Sequence, residues 1–304
     1  MSSLTVENAT TITNVTSSGG WCVVEDAIMG KCVQATSHFK VGQVVFLEKP
    51  FVCSSWHEYR CTVCAELHTV DSCPIANQYF STKVIPLLAD IEEELSNLYA
   101  IQELDKARTF LLSIHKASKS KQILNQLLSL TQANLDTCRA TVDIIANSKT
   151  MSLILPPSHL VSLEECAMIL SVLNTNAHML EEGGSALYPE AGAMFEHSCE
   201  PNCVFNTFNN DLWVVATKDI QMGERMSIDY INGFYEPKDT RRETLKEVYD
   251  FDCNCQLCSS GVDRARAFNC PSCNQGPVCP RSVTTRKKKK KTNVFVTSKM
   301  RIFF

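Results

Sequence analysis

The six residues from Cys253 to Cys258 constrain this chain more than any other stretch. They read Cys-Asn-Cys-Gln-Leu-Cys, a C-x-C-x2-C run. Three thiolates this close converge on one ion but leave a tetrahedral zinc one ligand short. The fourth ligand has to come from elsewhere, and Cys199 and Cys203 are the free candidates. A closed four-sulfur site keeps no open coordination position, so it would be a structural staple rather than a catalytic metal. It would pin the late cysteines onto the region near residue 200. The competing reading is three buried free thiols.

The chain carries 16 cysteines in 304 residues. Thiols inside cells are kept reduced, so clustered cysteines there hold metal more often than they form disulfides. Two further clusters are weaker. Cys61-Thr-Val-Cys64 is followed by His68 and Cys73, and Cys270-Pro-Ser-Cys273 is followed by Cys279. Each supplies part of a zinc ligand set.

Length alone predicts about two domains. Hydrophobic residues make up 44% and charged residues 20%, enough for a sizeable core. No run reaches the ~20 apolar residues of a membrane-spanning helix. The first 20 residues are polar and lack a signal peptide's apolar stretch. The glycosylation sequons at Asn8 and Asn14 are therefore expected to be idle, and the chain is expected in the nucleus and/or the cytoplasm. A membrane protein, a secreted disulfide knot and a collagen-like fibre are set aside.

The net charge of −4 conceals an asymmetry: residues 281 to 304 hold nine of the 29 Lys and Arg, including Lys287 to Lys291, and no acid. The remaining body has 20 basic against 33 acidic residues, or −13. Such a body binds nucleic acid poorly and suits a cationic partner. Nucleic acid enters only through the basic tail, which reads as a nuclear-localisation patch or as a solvated end.

Residues 1–20 read as a disordered arm. Val23-Val24 and Val44 to Leu47 predict strands, with turns at Gly30 and Gly42. Glycine is absent between Gly42 and Gly183. In that interval Ile85, Leu88, Ile91, Leu95 and Leu98 recur at helical spacing. So do Leu163, Ala167, Leu170, Leu173, Ala177 and Leu180. The helical block is expected to break near Lys116 to Lys121 and at Pro156-Pro157. Strands return at Leu212 to Ala216 and Met226 to Tyr230. Lys238 to Tyr249 predicts a charged helix with Thr240 as its cap. The fold class is therefore α+β: a β-rich domain interrupted by a helical insertion and followed by a zinc-binding segment.

Three separated motifs resemble the SET-domain protein lysine methyltransferases. They are ALYPEAGAMFEHSCEPNC from Ala186, GERMSIDY from Gly223, and RRETLKEVYDFDCNCQLC from Arg241. The stretch GKCVQATSHFKVGQVVFLEKP from Gly30 is similar to that family's first segment, G-x-G-x-x-A-x-x-x-x-x-G-x-x-x-x-x-E-x-P. The insertion and the later cysteines resemble the SET-and-MYND (SMYD) branch. On this resemblance, residues 21–60 form the N-terminal SET segment and 61–80 a degenerate MYND-like cysteine segment. Residues 81–180 form the helical insertion, 181–235 the C-terminal SET core, 236–280 the post-SET zinc segment, and 281–304 the basic tail.

The resemblance implies an S-adenosylmethionine (SAM) cofactor, a Zn²⁺ ion and a protein or peptide lysine substrate, with chromatin proteins as candidate partners. It assigns Tyr230 as the catalytic tyrosine. It assigns Gly30, Lys31, Asn176, Glu196, His197, Tyr230 and Phe251 to the cofactor cleft. It selects Cys199 as the fourth metal ligand beside Cys253, Cys255 and Cys258. Phe195, Tyr235 and Phe251 are implied as walls around the lysine stem. Two departures stand out. Glu196 occupies the place of the family's Asn, whose amide contacts SAM, and Cys32 replaces the second Gly of G-x-G. They support a rival reading, a catalytically inactive SET-fold adapter or transcriptional repressor that binds proteins through its zinc modules.

Overall fold

The computed structural model describes residues 19–27, 30–55, 61, 72–73, 88–98, 104–149, 152, 155, 158–181, 183–260, 262–263 and 266–278. Most of the N-terminal arm, Cys64, His68, Pro156-Pro157, Cys279 and the basic tail lie outside them. The elements follow the expected alternation. Strands β1 (Trp21–Asp26), β2 (Gly30–Ala35), β3 (Val44–Glu48) and β4 (Val52–Ser55) come first. Helices α1 (Leu88–Ser96), α2 (Leu104–Ala117), α3 (Lys121–Leu128), α4 (Leu135–Asn147) and α5 (Leu163–Asn176) follow. Next come β5 (His178–Met179), β6 (Gly184–Leu187), β7 (Glu196–His197), β8 (Cys203–Phe208), β9 (Asp211–Ala216) and β10 (Ser227–Ile228). Helices α6 (Lys238–Tyr249) and α7 (Gln256–Ser259) and the small pair β11 (Phe268–Asn269) and β12 (Pro277–Val278) close the described chain.

The strands form several small sheets, in which partners come from opposite sides of the helical insertion. One sheet runs β3-β9-β8 and another β4-β6-β5, while β1-β2 is a hairpin. In β9, Leu212, Val214 and Ala216 point inward at period two, as a half-buried strand requires. The β8–β9 turn is Asn209-Asn210, with φ of 51° and 67°. Asn tolerates this left-handed backbone better than other side chains, which suits a tight hairpin. Gly184 on β6 is needed for close approach: a Cβ there would lie 2.0 Å from the Ser54 carbonyl oxygen.

The insertion packs an apolar core that takes in Val52 of β4 and Leu187 of β6, and polar contacts add to the join. Ile91, Leu95, Phe110, Leu124, Leu127 and Ile145 are buried in one cluster, which also holds Cys61 and Cys73. Helix α5 opens with a capping box. Glu165 N donates to Ser162 Oγ, and Ser162 N donates to the Glu165 carboxylate at 2.7 Å. The buried Thr109 hydroxyl on α2 lies 3.2 Å from Ser54 Oγ and 3.0 Å from Ser185 Oγ. That contact fastens the helices to β4 and β6.

Several local expectations change. Thr240 lies inside α6, whose N-cap position is Pro237 with no side-chain cap bond. Proline fits a helix start because it has no N–H to satisfy. The strand expected over Met226 to Tyr230 shortens to Ser227–Ile228. Leu98, Ala177 and Leu180 fall outside the helices whose spacing they continue. Gly30 opens β2 with φ of 73° rather than sitting in a turn.

Candidate cofactor cleft and metal clasp

Helix α6 ends at Asp250, which adopts the left-handed conformation at φ 58° and turns the chain back. The turn carries Cys253, Cys255 and Cys258 to Cys199, which follows β7. The four Sγ atoms all lie within 4.8 Å of one another. Cys199 Sγ is 3.9 Å from that of Cys253 and 3.6 Å from that of Cys258. A tetrahedron with Zn–S bonds of ~2.3 Å has sulfur–sulfur edges of about 3.8 Å. The set therefore fits one zinc with no position left for water or substrate. Hydrogen bonds from Cys199 and Cys253 hold the Cys255 thiol below its ordinary value, while those with Cys253 and Cys255 push Cys199 up. Cys203, the other candidate on spacing alone, sits in the β core opposite Ala216.

The clasp is built next to a strand pairing. β7 and β10 pair in parallel, Glu196 opposite Ser227 and His197 opposite Ile228. This brings Tyr230, just past β10, against His197, with ring centroids 5.2 Å apart. The backbone N–H of Tyr230 donates to His197 Nδ1 at 3.2 Å. Nδ1 is thereby the bare nitrogen, so Nε2 carries the proton and donates to Cys199 Sγ at 3.2 Å. Burial pushes the His197 imidazole down to about 4, so the ring is neutral at pH 7. One histidine thus links the phenol-bearing segment to the clasp.

Tyr230 OH donates to the Phe195 carbonyl at 2.5 Å. Burial, then the neighbouring Tyr249, raises its pKa, so the phenol stays neutral. Tyr249 lies 5.0 Å from Tyr230 and Phe251 lies 5.9 Å from His197, measured between ring centroids. These four rings form an aromatic group on the seam between the β core and the clasp.

Two of the implied walls are elsewhere. Phe195 is buried in the β core beside Phe46, and Tyr235 is 78% exposed. Only the Phe195 backbone reaches Tyr230. Asn176 has no amide hydrogen left for a cofactor, because its Nδ2 donates to the carbonyls of Thr131 and Val172, both at 2.8 Å. Gly30 and Lys31 are exposed at the start of β2, with Gly30 opposite Asp26. The Lys31 ammonium donates to Ser129 at the end of α3.

Glu196 is not an unbalanced charge. Arg225 Nη1 lies 3.6 Å from its Oε2, and Arg225 Nη2 binds Asp26. Burial raises the Glu196 carboxyl and the guanidinium lowers it in part. Cys32 is buried beside this trio, its thiol raised by burial. Arg225 is the third residue of GERMSIDY, and the reading from sequence passes over it. Glu196 and Arg225 thus form an ion pair in which Glu196 Oε2 makes no hydrogen bond among the described residues. A second residue missed from sequence is Glu48. Its buried carboxylate accepts the backbone N–H groups of Glu190, Ala191 and Gly192 at 2.7, 3.2 and 2.9 Å. It thereby shapes the loop that leads into β7. The G-x-x-x-x-x-E-x-P pattern was its signal.

The SET domain family model matches residues 30–231, more than half of the chain. The chain therefore belongs to the SET-domain family. Several of the relatives it matches are SMYD proteins. Mouse histone-lysine N-methyltransferase Smyd1 is 29% identical over 126 residues, covering 35% of this chain and 25% of the relative. Human histone-lysine N-methyltransferase SMYD3 is 38% identical over 87 residues, covering 28% of this chain and 19% of the relative. Arabidopsis thaliana histone-lysine N-methyltransferase ASHR1 is 25% identical over 258 residues, covering 76% and 53%. The chain thus spans between about a fifth and a half of these relatives. Among solved structures, the SET domain of LSMT bound to MeLysine and AdoHcy is similar. It shows 13% identity and a TM-score of 0.43, with 84% of this chain and 55% of that chain covered.

Proposed function

We propose that this chain is a SAM-dependent protein-lysine N-methyltransferase. The observation that carries the reading is the junction of Tyr230, His197 and Cys199, where a neutral phenol is fixed beside a four-sulfur clasp. SAM, when bound, would supply a methyl group on a sulfonium. His197, Phe251, Glu196 and the Gly30–Lys31 edge would line its cleft. Methylation of lysine requires a neutral amine aligned with the donor and shielded from water, so positioning and desolvation supply much of the catalysis. The Tyr230 hydroxyl spends its proton on Phe195, which leaves its oxygen lone pairs to accept a hydrogen bond from the target amine. Rings at Tyr230, Tyr249 and Phe251 exclude water, and burial lowers an amine's pKa toward the neutral form. The acidic body favours approach of a basic peptide, from a histone or another protein. Cys199, Cys253, Cys255 and Cys258 would hold a zinc ion that fixes the geometry without taking part in chemistry.

Calorimetric titration with SAM, followed by transfer of labelled methyl groups to a lysine-peptide mixture, tests this. Binding and labelling, with labelling lost in Tyr230→Phe, are expected. No heat at millimolar SAM refutes the proposal. The silent adapter remains the second reading, favoured by Glu196 at the amide position and by the spent amide of Asn176. Methylation that appears only in Glu196→Asn would make the native chain silent.

A further inference from the structure

The largest of the fully buried side chains is an arginine. Arg241, in the first turns of α6, has 0% exposure. A buried guanidinium is costly unless charge and hydrogen bonds compensate it. Its Nη1 donates to the Glu236 carbonyl at 2.5 Å and faces Asp263 Oδ2 at 3.5 Å. Its Nη2 points at Cys258 Sγ, 3.7 Å away. Its Nε has no hydrogen-bond partner among the described residues. Asp263 at 3.5 Å and Asp229, whose carboxyl the guanidinium lowers, are the carboxylates within its reach. The remaining negative charge within reach is the sulfur cluster: four thiolates around a dication carry a net charge of −2.

We infer that Arg241 is the counter-charge of the clasp, a positioning residue that holds metal in place by donating to Cys258 Sγ. The inference rests on the reading of the four cysteines as a zinc site. The neighbouring residue supports the same segment from outside, since Arg242 Nε donates to the Cys253 carbonyl at 2.9 Å. With His197 donating to Cys199, two of the four sulfurs receive a hydrogen bond from a side chain outside the set. Such donors spread the thiolate charge and orient the ligand, and their loss typically weakens metal binding about 10–100-fold. Arginine suits the place because its planar fork reaches Cys258, Glu236 and Asp263 at once, which a lysine ammonium cannot do.

The test uses the full chain loaded with zinc, titrated against a chelator of known affinity, and loaded in parallel with cobalt(II). Arg241→Met is expected to bind zinc about 10–100-fold more weakly while the cobalt form keeps thiolate-to-metal absorption, because all four cysteines remain. Ile145→Ala, a buried truncation in α4 away from the clasp, is expected to lower the unfolding midpoint but leave zinc affinity near the native value. Native affinity in Arg241→Met overturns the inference. So does equal loss in both variants, which would reduce Arg241 to packing. If Arg241→Met does not fold, Arg241→Gln decides, and native zinc affinity there also overturns it. A native chain that takes up neither metal sinks the zinc reading itself, and the inference with it.

Discussion

Arg225 is the residue whose removal should most clearly expose how this chain departs from its family's motifs. Its guanidinium joins Asp26 at the end of β1 to Glu196 on β7, with side-chain exposures of 35%, 23% and 21% in that order. At 3.6 Å the Glu196–Arg225 attraction is about 5 kcal/mol before desolvation, for an effective dielectric near 20. Desolvation and ordering remove most of this, leaving a net coupling of about 1–2 kcal/mol for half-buried groups. Arg225→Met removes the cation from two carboxylates at once, of which Asp26 keeps another contact, so its cost should be about 2–3 kcal/mol. Glu196→Gln leaves Arg225 paired with Asp26 and should cost about 1 kcal/mol. Urea denaturation of the native chain, both single variants and the double variant closes the cycle. The double variant should be about 1–2 kcal/mol more stable than the sum of the singles predicts. Additivity within about 0.5 kcal/mol would refute the ion pair. Glu196 would then be an isolated substitution, as its sequence position alone implies.

Two further outcomes follow from buried Glu48 and half-buried His178. Glu48→Ala removes the acceptor for three backbone N–H groups and should destabilise the chain by about 3 kcal/mol, read from the shift in urea midpoint. A native midpoint in that variant would show that water replaces the carboxylate. Burial pushes His178 down from 6.5 to about 4, against a partly opposing bond to the Asn176 carbonyl. A depressed folded-state value means that its contribution is complete above pH 6.5 and is lost as pH falls toward 4. The native chain should lose up to about 3 kcal/mol relative to His178→Phe over that interval, in denaturation at stepped pH. Parallel stability curves for the two proteins would contradict it.

Much of the architecture is legible in the sequence because it depends on short-range pattern. Leu212, Val214 and Ala216 alternate, and the strand they form buries those three. The absence of glycine from 43 to 182 marks the helical block, and α1 to α5 fall within it. The α+β class follows from that order of elements. Local reading fails where a neighbour far along the chain overrides it. Tyr235 adjoins the conserved-looking motif yet faces solvent, and Phe195 turns into the core beside Phe46. Asn176 offers an amide by type, but the carbonyls of Thr131 and Val172 take both of its hydrogens.

The sequence by itself determined that three late thiols need a fourth, because tetrahedral coordination is a property of the ion and C-x-C-x2-C is read directly from spacing. It also offered Cys199 and Cys203 as upstream candidates for that fourth thiol. Only the tertiary structure decided how Cys199 meets the late trio, what faces Glu196, and what lies under α6. Those outcomes turn on the parallel pairing of β7 and β10 and on the left-handed turn at Asp250, which bring together groups separated by up to 199 residues. Period and spacing describe one element at a time. Charge compensation and metal geometry belong to atoms that meet only after the chain has folded.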